Sequence, residues 1–326
     1  MVQKPSIQVI EDIEAVPVEE QNIVFKPNVG PQTDFLAAGE REVLYGGSAG
    51  GGKSYAMLAD PLRYMGHPSF SGLLLRHTTE ELRELIYKSK EIYPQIWKGI
   101  KWSERKMQWE APSGARLWMS YLDRDDDVLR YQGLAFSWIG FDELTQWSTP
   151  YAWNYMRSRL RSVAQDLPVY MRATTNPGGP GHQWVKKMFI DPAPYGKQFD
   201  ATDIESGNVL SYPKGHTKSG QPLFKRRFIP ARLSDNPYLS AQGDYETMLL
   251  SLPEHQRKQL LDGDWDIKEG AAFSEFDRNI HVIEPFSIPR NWVKFRACDY
   301  GYGSYSGVLW FAVSPDEQII VYRELY

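Results

Sequence analysis

The strongest chemistry in this chain lies in eight consecutive residues, Gly47, Ser48, Ala49, Gly50, Gly51, Gly52, Lys53 and Ser54, which fit G-x-x-x-x-G-K-[ST] at every fixed position. Glycines let a backbone wrap tightly and aim its N–H groups at phosphate oxygens. A helix that opens at Lys53 points its positive dipole end at the same anion. In this arrangement Lys53 reaches the β- and γ-phosphates and the Ser54 hydroxyl binds Mg2+, so the loop calls for ATP and Mg2+ as cofactors.

Two further constellations suit the same chemistry. Trp138-Ile139-Gly140-Phe141 reads as a buried apolar strand, and it ends in Asp142-Glu143. The carboxyl ends of strands in parallel sheets face the ligand crevice. There Asp142 can hold the Mg2+ shell and Glu143 can polarise an attacking water. The next strand ends at Ala173-Thr174-Thr175-Asn176-Pro177. Thr174, Thr175 and Asn176 can hydrogen-bond the γ-phosphate or the water and report hydrolysis to the following segment. The alternative for this stretch is a plain Asn-Pro-Gly-Gly turn.

The elements that must position these groups are also readable. Arg41 to Tyr45 is a short strand running into the glycines, and helical spacing follows through Tyr55, Met57, Leu58 and Leu62. Gly72 to Arg76 is an apolar run of the kind found in buried parallel strands. Thr78 to Glu81 supplies N-capping chemistry for a helix through Leu82, Leu85 and Ile86. Met107–Glu110 and Arg116–Leu122 flank Pro112-Ser113-Gly114, a hairpin signal. A helix is expected from about Thr149 to Arg161 and a fourth strand over Val169–Thr174. Strands alternating with helices predict an α/β fold with a mostly parallel sheet and helices on both faces. Residues 1–34, punctuated by Pro5, Pro17, Pro27 and Pro31, read as an extended arm. Helical spacing returns between Leu239 and Leu261, and a strand spans Lys294–Cys298.

Composition narrows the partners. The chain has 326 residues, 42% hydrophobic and 24% charged, which excludes a mainly disordered protein. No apolar run approaches the ~18–20 residues of a membrane span, and the polar N-terminus is not a signal peptide. A single cysteine, Cys298, excludes disulfides within the chain and suits a reducing cytoplasm. The net charge of −4 excludes a globally basic nucleic-acid binder but not a local patch. Between Tyr151 and Ile190 six basic residues (Arg157, Arg159, Arg161, Arg172, Lys186, Lys187) face one acid, and Lys214–Arg232 holds six more with no acid. Such patches can grip phosphates without reading sequence, and a solvated face is the alternative. Lys186, Lys187, Lys225, Arg226 and Arg227 are the candidate DNA contacts. The acidic cluster Asp123, Asp125, Asp126 and Asp127 reads as a solvated loop, and the six histidines show no metal-ligand spacing.

An acidic pair on a strand separated from the phosphate-loop strand resembles the additional-strand, catalytic-glutamate division of P-loop NTPases. The ordered series resembles, more narrowly, the large terminase subunit of tailed bacteriophages. Its pieces are Pro31-Gln32, Gly47 to Ser54, Leu74-Leu75-Arg76-His77-Thr78, Tyr131-Gln132-Gly133 before Phe141-Asp142-Glu143, Ser158-Arg159-Leu160-Arg161, Thr174 to Pro177, Gly263-Asp264-Trp265 and Cys298-Asp299-Tyr300-Gly301. The resemblance implies an ATPase that drives double-stranded DNA into a procapsid, in the host cytoplasm. It implies the portal protein, the small terminase subunit and further copies in a ring as partners, and no membrane. It suggests Gln32 as the adenine-side contact, Glu143 as catalytic base, Thr175 and Asn176 as the coupling motif, and Asp299 as the first metal-binding carboxylate of a ribonuclease-H-like domain. The family's trans-acting arginine would fall at Gln132, so Arg130, Arg159 and Arg161 become its candidates. A helicase or other DNA-dependent P-loop ATPase, and a non-hydrolysing DNA-binding scaffold, stay open as alternatives.

The expected division is an arm and adenine-side segment over 1–39, an ATPase core over 40–200, a lid or linker over 201–290, and the start of the nuclease domain over 291–326. That last stretch carries a hairpin through Tyr305–Phe311 and Ile319–Tyr322. With Asp299 as its only matching carboxylate, the chain reads as truncated within the nuclease domain and unable to cut DNA.

Overall fold

The computed structural model describes residues 25–241, 243–267, 281–300 and 307–325. The chain divides into two compact units, residues 1–269 and 270–326.

The first unit is built on a nine-stranded sheet. Its strands are β1 (Glu42–Gly47), β2 (Ser71–Arg76), β3 (Lys101–Ser103), β4 (Gln108–Glu110), β5 (Arg116–Tyr121), β6 (Trp138–Asp142), β7 (Tyr170–Thr175), β8 (Gln198–Asp200) and β9 (Lys225–Ala231), in the spatial order β3-β4-β5-β2-β6-β7-β1-β9-β8. From β5 to β9 every pair is parallel. The hairpin β4–β5, extended by β3, closes one edge, and antiparallel β8 closes the other. All six parallel strands therefore present their carboxyl ends at the same edge of the sheet.

Alternation along the strands explains why helices cover both faces. On β1, Val43 and Tyr45 point into one core with Ala56, Met57, Leu58, Leu82 and Leu85. Leu44 points into the other with Trp147, Trp153, Met156 and Phe189. The first core is roofed by α1 (Pro31–Ala37), α2 (Lys53–Ala59) and α3 (Thr79–Ile96), the second by α4 (Tyr151–Arg157). Thr78 and Glu81 form the expected capping box at the start of α3, worth about 1 kcal/mol.

Several expectations need correction. Residues 31–37 form a helix rather than part of an extended arm, because Gly30 adopts φ 99° and Pro31 sits at its first position; the arm over 1–24 lies outside the described residues. The helix expected to reach Arg161 stops at Arg157. Its continuation pairs instead with the residues before β6, through a parallel bridge between Phe136 and Leu160. α2 ends at Ala59 and passes into a 3-10 turn at Pro61, where a continuing α-helix would lose a hydrogen bond. The core does not end near residue 200: β9 lies beside β1, with Glu42 opposite Arg226. The helical spacing over 239–261 breaks into short pieces, Pro237–Ser240, Asp244–Leu250 and Glu254–Arg257 continuing to Asp262, interrupted at Gly243 and Pro253.

The second unit contains an antiparallel sheet of β10 (Val293–Asp299), β11 (Gly307–Val313) and β12 (Ile319–Leu325), in that order. Phe295 and Phe311 stack across it at 4.8 Å. Asp299 ends β10 opposite Gly307. Gly301 and Tyr305 lie outside the described residues.

Candidate active site

The turn after β1 is shaped by glycine and held from several sides. Gly47 has φ 137°, and a Cβ there would lie 2.3 Å from the Ala231 carbonyl oxygen. Gly52, the N-cap of α2, is left-handed at φ 76°, and a Cβ there would lie 2.7 Å from Gln32 Nε2. Ser48 N donates to Ala231 O at 2.8 Å and Ala49 N to Leu260 O at 2.7 Å. Tyr45 Oη donates to Gly51 O at 2.8 Å, and Asn236 Nδ2 to Gly50 O at 2.7 Å. Among the described residues, the N–H groups of Gly50, Gly51, Gly52, Lys53 and Ser54 meet no acceptor. The loop is anchored through the N–H groups of Ser48 and Ala49 and the carbonyls of Gly50 and Gly51, an arrangement that would suit an anion at the remaining donors.

Lys53 is buried, and its Nζ donates to Ser48 O at 2.6 Å. Burial lowers its pKa, against the opposing pull of Glu143 and Asp142. Gln32 is buried on α1. It accepts from Asn28 N at 2.6 Å and donates to Gly52 O at 2.9 Å, so it braces the phosphate loop directly.

The acidic pair stands two strands away. β7 separates β6 from β1 and carries Thr174 level with Asp142 and Thr175 level with Gly46. Asp142 is fully buried. Thr174 Oγ1 donates to its Oδ1, and Arg76 Nε lies 2.8 Å from its Oδ2. Glu143 leaves the strand in the left-handed region at φ 60°, a strained conformation for a non-glycine residue. Its Oε2 accepts from Asn176 N at 3.3 Å and lies 3.5 Å from Thr175 Oγ1. Burial raises the Glu143 pKa and Asp142 adds to the rise, while Lys53 and Arg76 oppose it. Thr145 fastens the neighbouring strand end, with its Oγ1 2.7 Å from Thr175 Oγ1 and 3.2 Å from Asn176 O. The Ser48 hydroxyl and the Asn176 side-chain oxygen are buried without partners among the described residues.

The structure thus brings Gln32, the phosphate loop, Asp142, Glu143, Thr174, Thr175 and Asn176 to one sheet edge. The oxygen donors Ser54 and Asp142 fit a hard cation such as Mg2+, which takes one or two protein ligands and leaves its other positions to phosphates and water.

Other candidates do not join this cluster. Arg226 is buried and pairs with Glu42 at 2.7 Å, so it offers no surface to DNA; the run around it is strand β9, in which Lys225 is exposed and Arg227 half-buried. Lys225 pairs with Asp200 and Lys186 with Asp191, both at 2.6 Å. Arg227 donates to Gly196 O at 2.9 Å. Lys187 is exposed. Arg130 pairs with Asp127 at 2.8 Å, Arg159 lies over the Tyr155 ring, and Arg161 donates to Gly133 O at 3.0 Å. Asp299 is exposed, in the second unit.

Arg76, Thr145, Asn236 and Gln259 were not predicted from sequence as members of the site. Arg76 had a legible signal, since it ends an apolar parallel strand as Asp142 does. Asn236 and Gln259 had none: their partners Gly50 and Pro177 stand 186 and 82 residues away in the chain.

A phosphate loop whose strand is separated by one neighbour from an Asp-Glu strand defines a P-loop nucleotide hydrolase of the additional-strand type. Residues 44–280 match the family described as terminase large subunit, T4likevirus-type, N-terminal. The chain belongs to this family. Among solved structures it is similar to the large terminase of a thermophilic bacteriophage in complex with ADP, at 18% identity and TM-score 0.54, covering 91% of this chain and 68% of that one. Another crystal form of that phage's large terminase gives 17% identity and TM-score 0.53, covering 91% and 69%. The ATPase domain of the Thermus phage P74-26 large terminase gives 13% identity and TM-score 0.47, covering 74% and 94%. No curated protein sequence matches the chain. Among the described residues no helix is long and apolar enough to cross a membrane.

Proposed function

We propose that this chain is the ATPase part of a terminase large subunit, which hydrolyses ATP to move double-stranded DNA into a procapsid. The observation that carries the reading is the carboxylate of Glu143, held by Asn176 N–H at 3.3 Å at the same edge of the sheet as the phosphate loop with its buried Lys53. Hydrolysis proceeds by in-line attack of water on the γ-phosphoryl group. Glu143 orients the water and takes up its proton, for which its raised pKa suits it. Lys53 and the free N–H groups of the loop stabilise the charge that develops on the phosphate oxygens. Mg2+, held through Ser54 and Asp142, supplies further charge neutralisation when bound. Thr175 and Asn176 touch Glu143 on one side, and Pro177 O accepts from Gln259 on the other. A change at the γ-phosphate therefore has a covalent and hydrogen-bonded route to residues 258–265.

The partners proposed with this function are DNA, the portal protein, the small terminase subunit and further copies of the chain in a ring at the portal, in the host cytoplasm. Arg130, Arg159 and Arg161 share the edge formed by residues 130–136 and 158–161, and this edge is proposed to face a neighbouring subunit's ATP. Lys187 and Lys225 are the exposed candidates for DNA phosphate contact, Lys225 being paired with Asp200. Asp299 is proposed as a nuclease carboxylate, and this polypeptide is proposed not to cut DNA. Cleavage of plasmid with Mn2+ would overturn that last point.

The test is phosphate release from ATP with Mg2+, with and without duplex DNA, for the parent and Lys53→Ala. DNA-stimulated release that is lost in the variant is the expected result. Release at the parent rate by Lys53→Ala contradicts the site, and no release by the parent at any protein concentration favours a scaffold.

A further inference from the structure

Among the described residues, Arg76 is the one buried charge at the open edge that the hydrolytic scheme does not use. It ends β2, whose register sets Leu75 opposite Phe141 and so brings Arg76 level with Asp142. Its Nε lies 2.8 Å from Asp142 Oδ2, and its side chain is only 11% exposed. The other Asp142 oxygen is taken by Thr174. Oδ2 is therefore the oxygen that Asp142 has to offer a cation, and a guanidinium already lies against it. Arg76 is also 3.9 Å from Glu81 Oε2, the glutamate of the α3 capping box. The guanidinium thus stands between two carboxylates, one at the metal-binding position and one a turn into the adjacent helix.

Arginine stays charged at any working pH, so it cannot yield Oδ2 by losing a proton. It must share the oxygen or move toward Glu81. We propose that Arg76 is a positioning residue that competes with the divalent cation for Asp142 Oδ2 and thereby sets how much metal the nucleotide site requires. This rests on the reading of Asp142 as the metal-side carboxylate. Competition has a definite consequence: removing the guanidinium makes the metal bind more readily, whereas losing a phosphate contact or a structural brace would weaken nucleotide binding whatever the metal concentration.

The experiment is a Mg2+ titration of N-methylanthraniloyl-ADP binding, read by fluorescence, for the full chain and for Arg76→Gln and Arg76→Lys. Direct Mn2+ binding without nucleotide, read by electron paramagnetic resonance, is measured alongside. The half-saturating Mg2+ concentration is expected to fall about tenfold in Arg76→Gln, the change that about 1.4 kcal/mol produces. Arg76→Lys, which keeps the charge but not the fork, should lie between, and it carries the test alone if the glutamine variant does not fold. Mn2+ affinity should rise in parallel. An unchanged or higher metal requirement in the variants, with a Mg2+-dependent parent, overturns the inference and leaves the proposed function intact. A parent that binds no nucleotide overturns both.

Discussion

The two edges of the same parallel sheet treat buried charge in opposite ways. At the amino edge, Glu42 on β1 is closed on both sides: Arg226 Nε lies 2.7 Å from one oxygen, and Arg157 pairs with the other. Nearby, Arg172 donates to the carbonyls of Glu40, Met171 and Ala38. At the carboxyl edge the charges are just as buried but less satisfied. Lys53 finds only a carbonyl, Glu143 sits on strained backbone, and Ser48, Asn176 and the N–H groups of the loop from Gly50 to Ser54 are without partners among the described residues. Buried polar groups cost stability unless paired. Partners are missing at the amino edge too, for Glu40 Oε2 and Arg172 Nε, but there the buried carboxylate is closed by two arginines; the less satisfied carboxyl edge is the one proposed to take a nucleotide with its metal.

The comparison can be broken by exchanging effects between the edges. The largest expected effect is at the open edge. Lys53→Ala should lower ATP hydrolysis by about a hundredfold or more, by analogy with removal of one charge-stabilising donor, and leave the urea midpoint near that of the parent. Next is the closed edge. Arg226→Met strips Glu42 of one partner and should cost about 3 kcal/mol in urea unfolding, while nucleotide affinity stays unchanged. If Arg226→Met instead abolished nucleotide binding with stability intact, the division between the edges would fail.

A smaller effect concerns pH. Burial pushes the Glu42 pKa up, but Arg226 and Arg157 more than offset this and hold it below the usual carboxylate range. Its contribution to stability is therefore present above the unfolded value and lost as pH falls through the folded one. Glu143 is shifted the other way. Its ionised form costs the folded state stability as pH rises through the raised value, and hydrolysis should fail as pH drops through that same value. Thermal melts against pH should lose their acid limb in Glu42→Gln, whereas Glu143→Gln should melt slightly above the parent near neutrality. The smallest effect is at the brace: Gln32→Ala removes its bond to Gly52 and should weaken nucleotide binding a few-fold, about 1 kcal/mol, measured by the same fluorescence titration.

Much of the open edge was legible because its residues end strands. Asp142, Glu143 and Thr175 close apolar runs, and Lys53 opens the helix that follows the glycine loop at the end of another, so parallel strands must deliver them together. The closed edge was not legible. Arg226 read as part of a basic patch because Glu42 stands 184 residues earlier, and only the pairing of β9 with β1 brings them opposite. The helix expected to reach Arg161 failed for a similar reason, since the bridge from Leu160 to Phe136 outweighs local propensity. Arg76 stood in plain sight within Leu74-Leu75-Arg76, but its role depends on the β2–β6 register.

The most direct test of the central claim is ATP hydrolysis by Glu143→Gln in the presence of Mg2+ and duplex DNA, with nucleotide affinity measured on the same sample. The open edge predicts that nucleotide remains bound at close to parent affinity while turnover is lost. Turnover at the parent rate with nucleotide bound would contradict the assignment of Glu143, and with it the reading of this edge as the hydrolytic site.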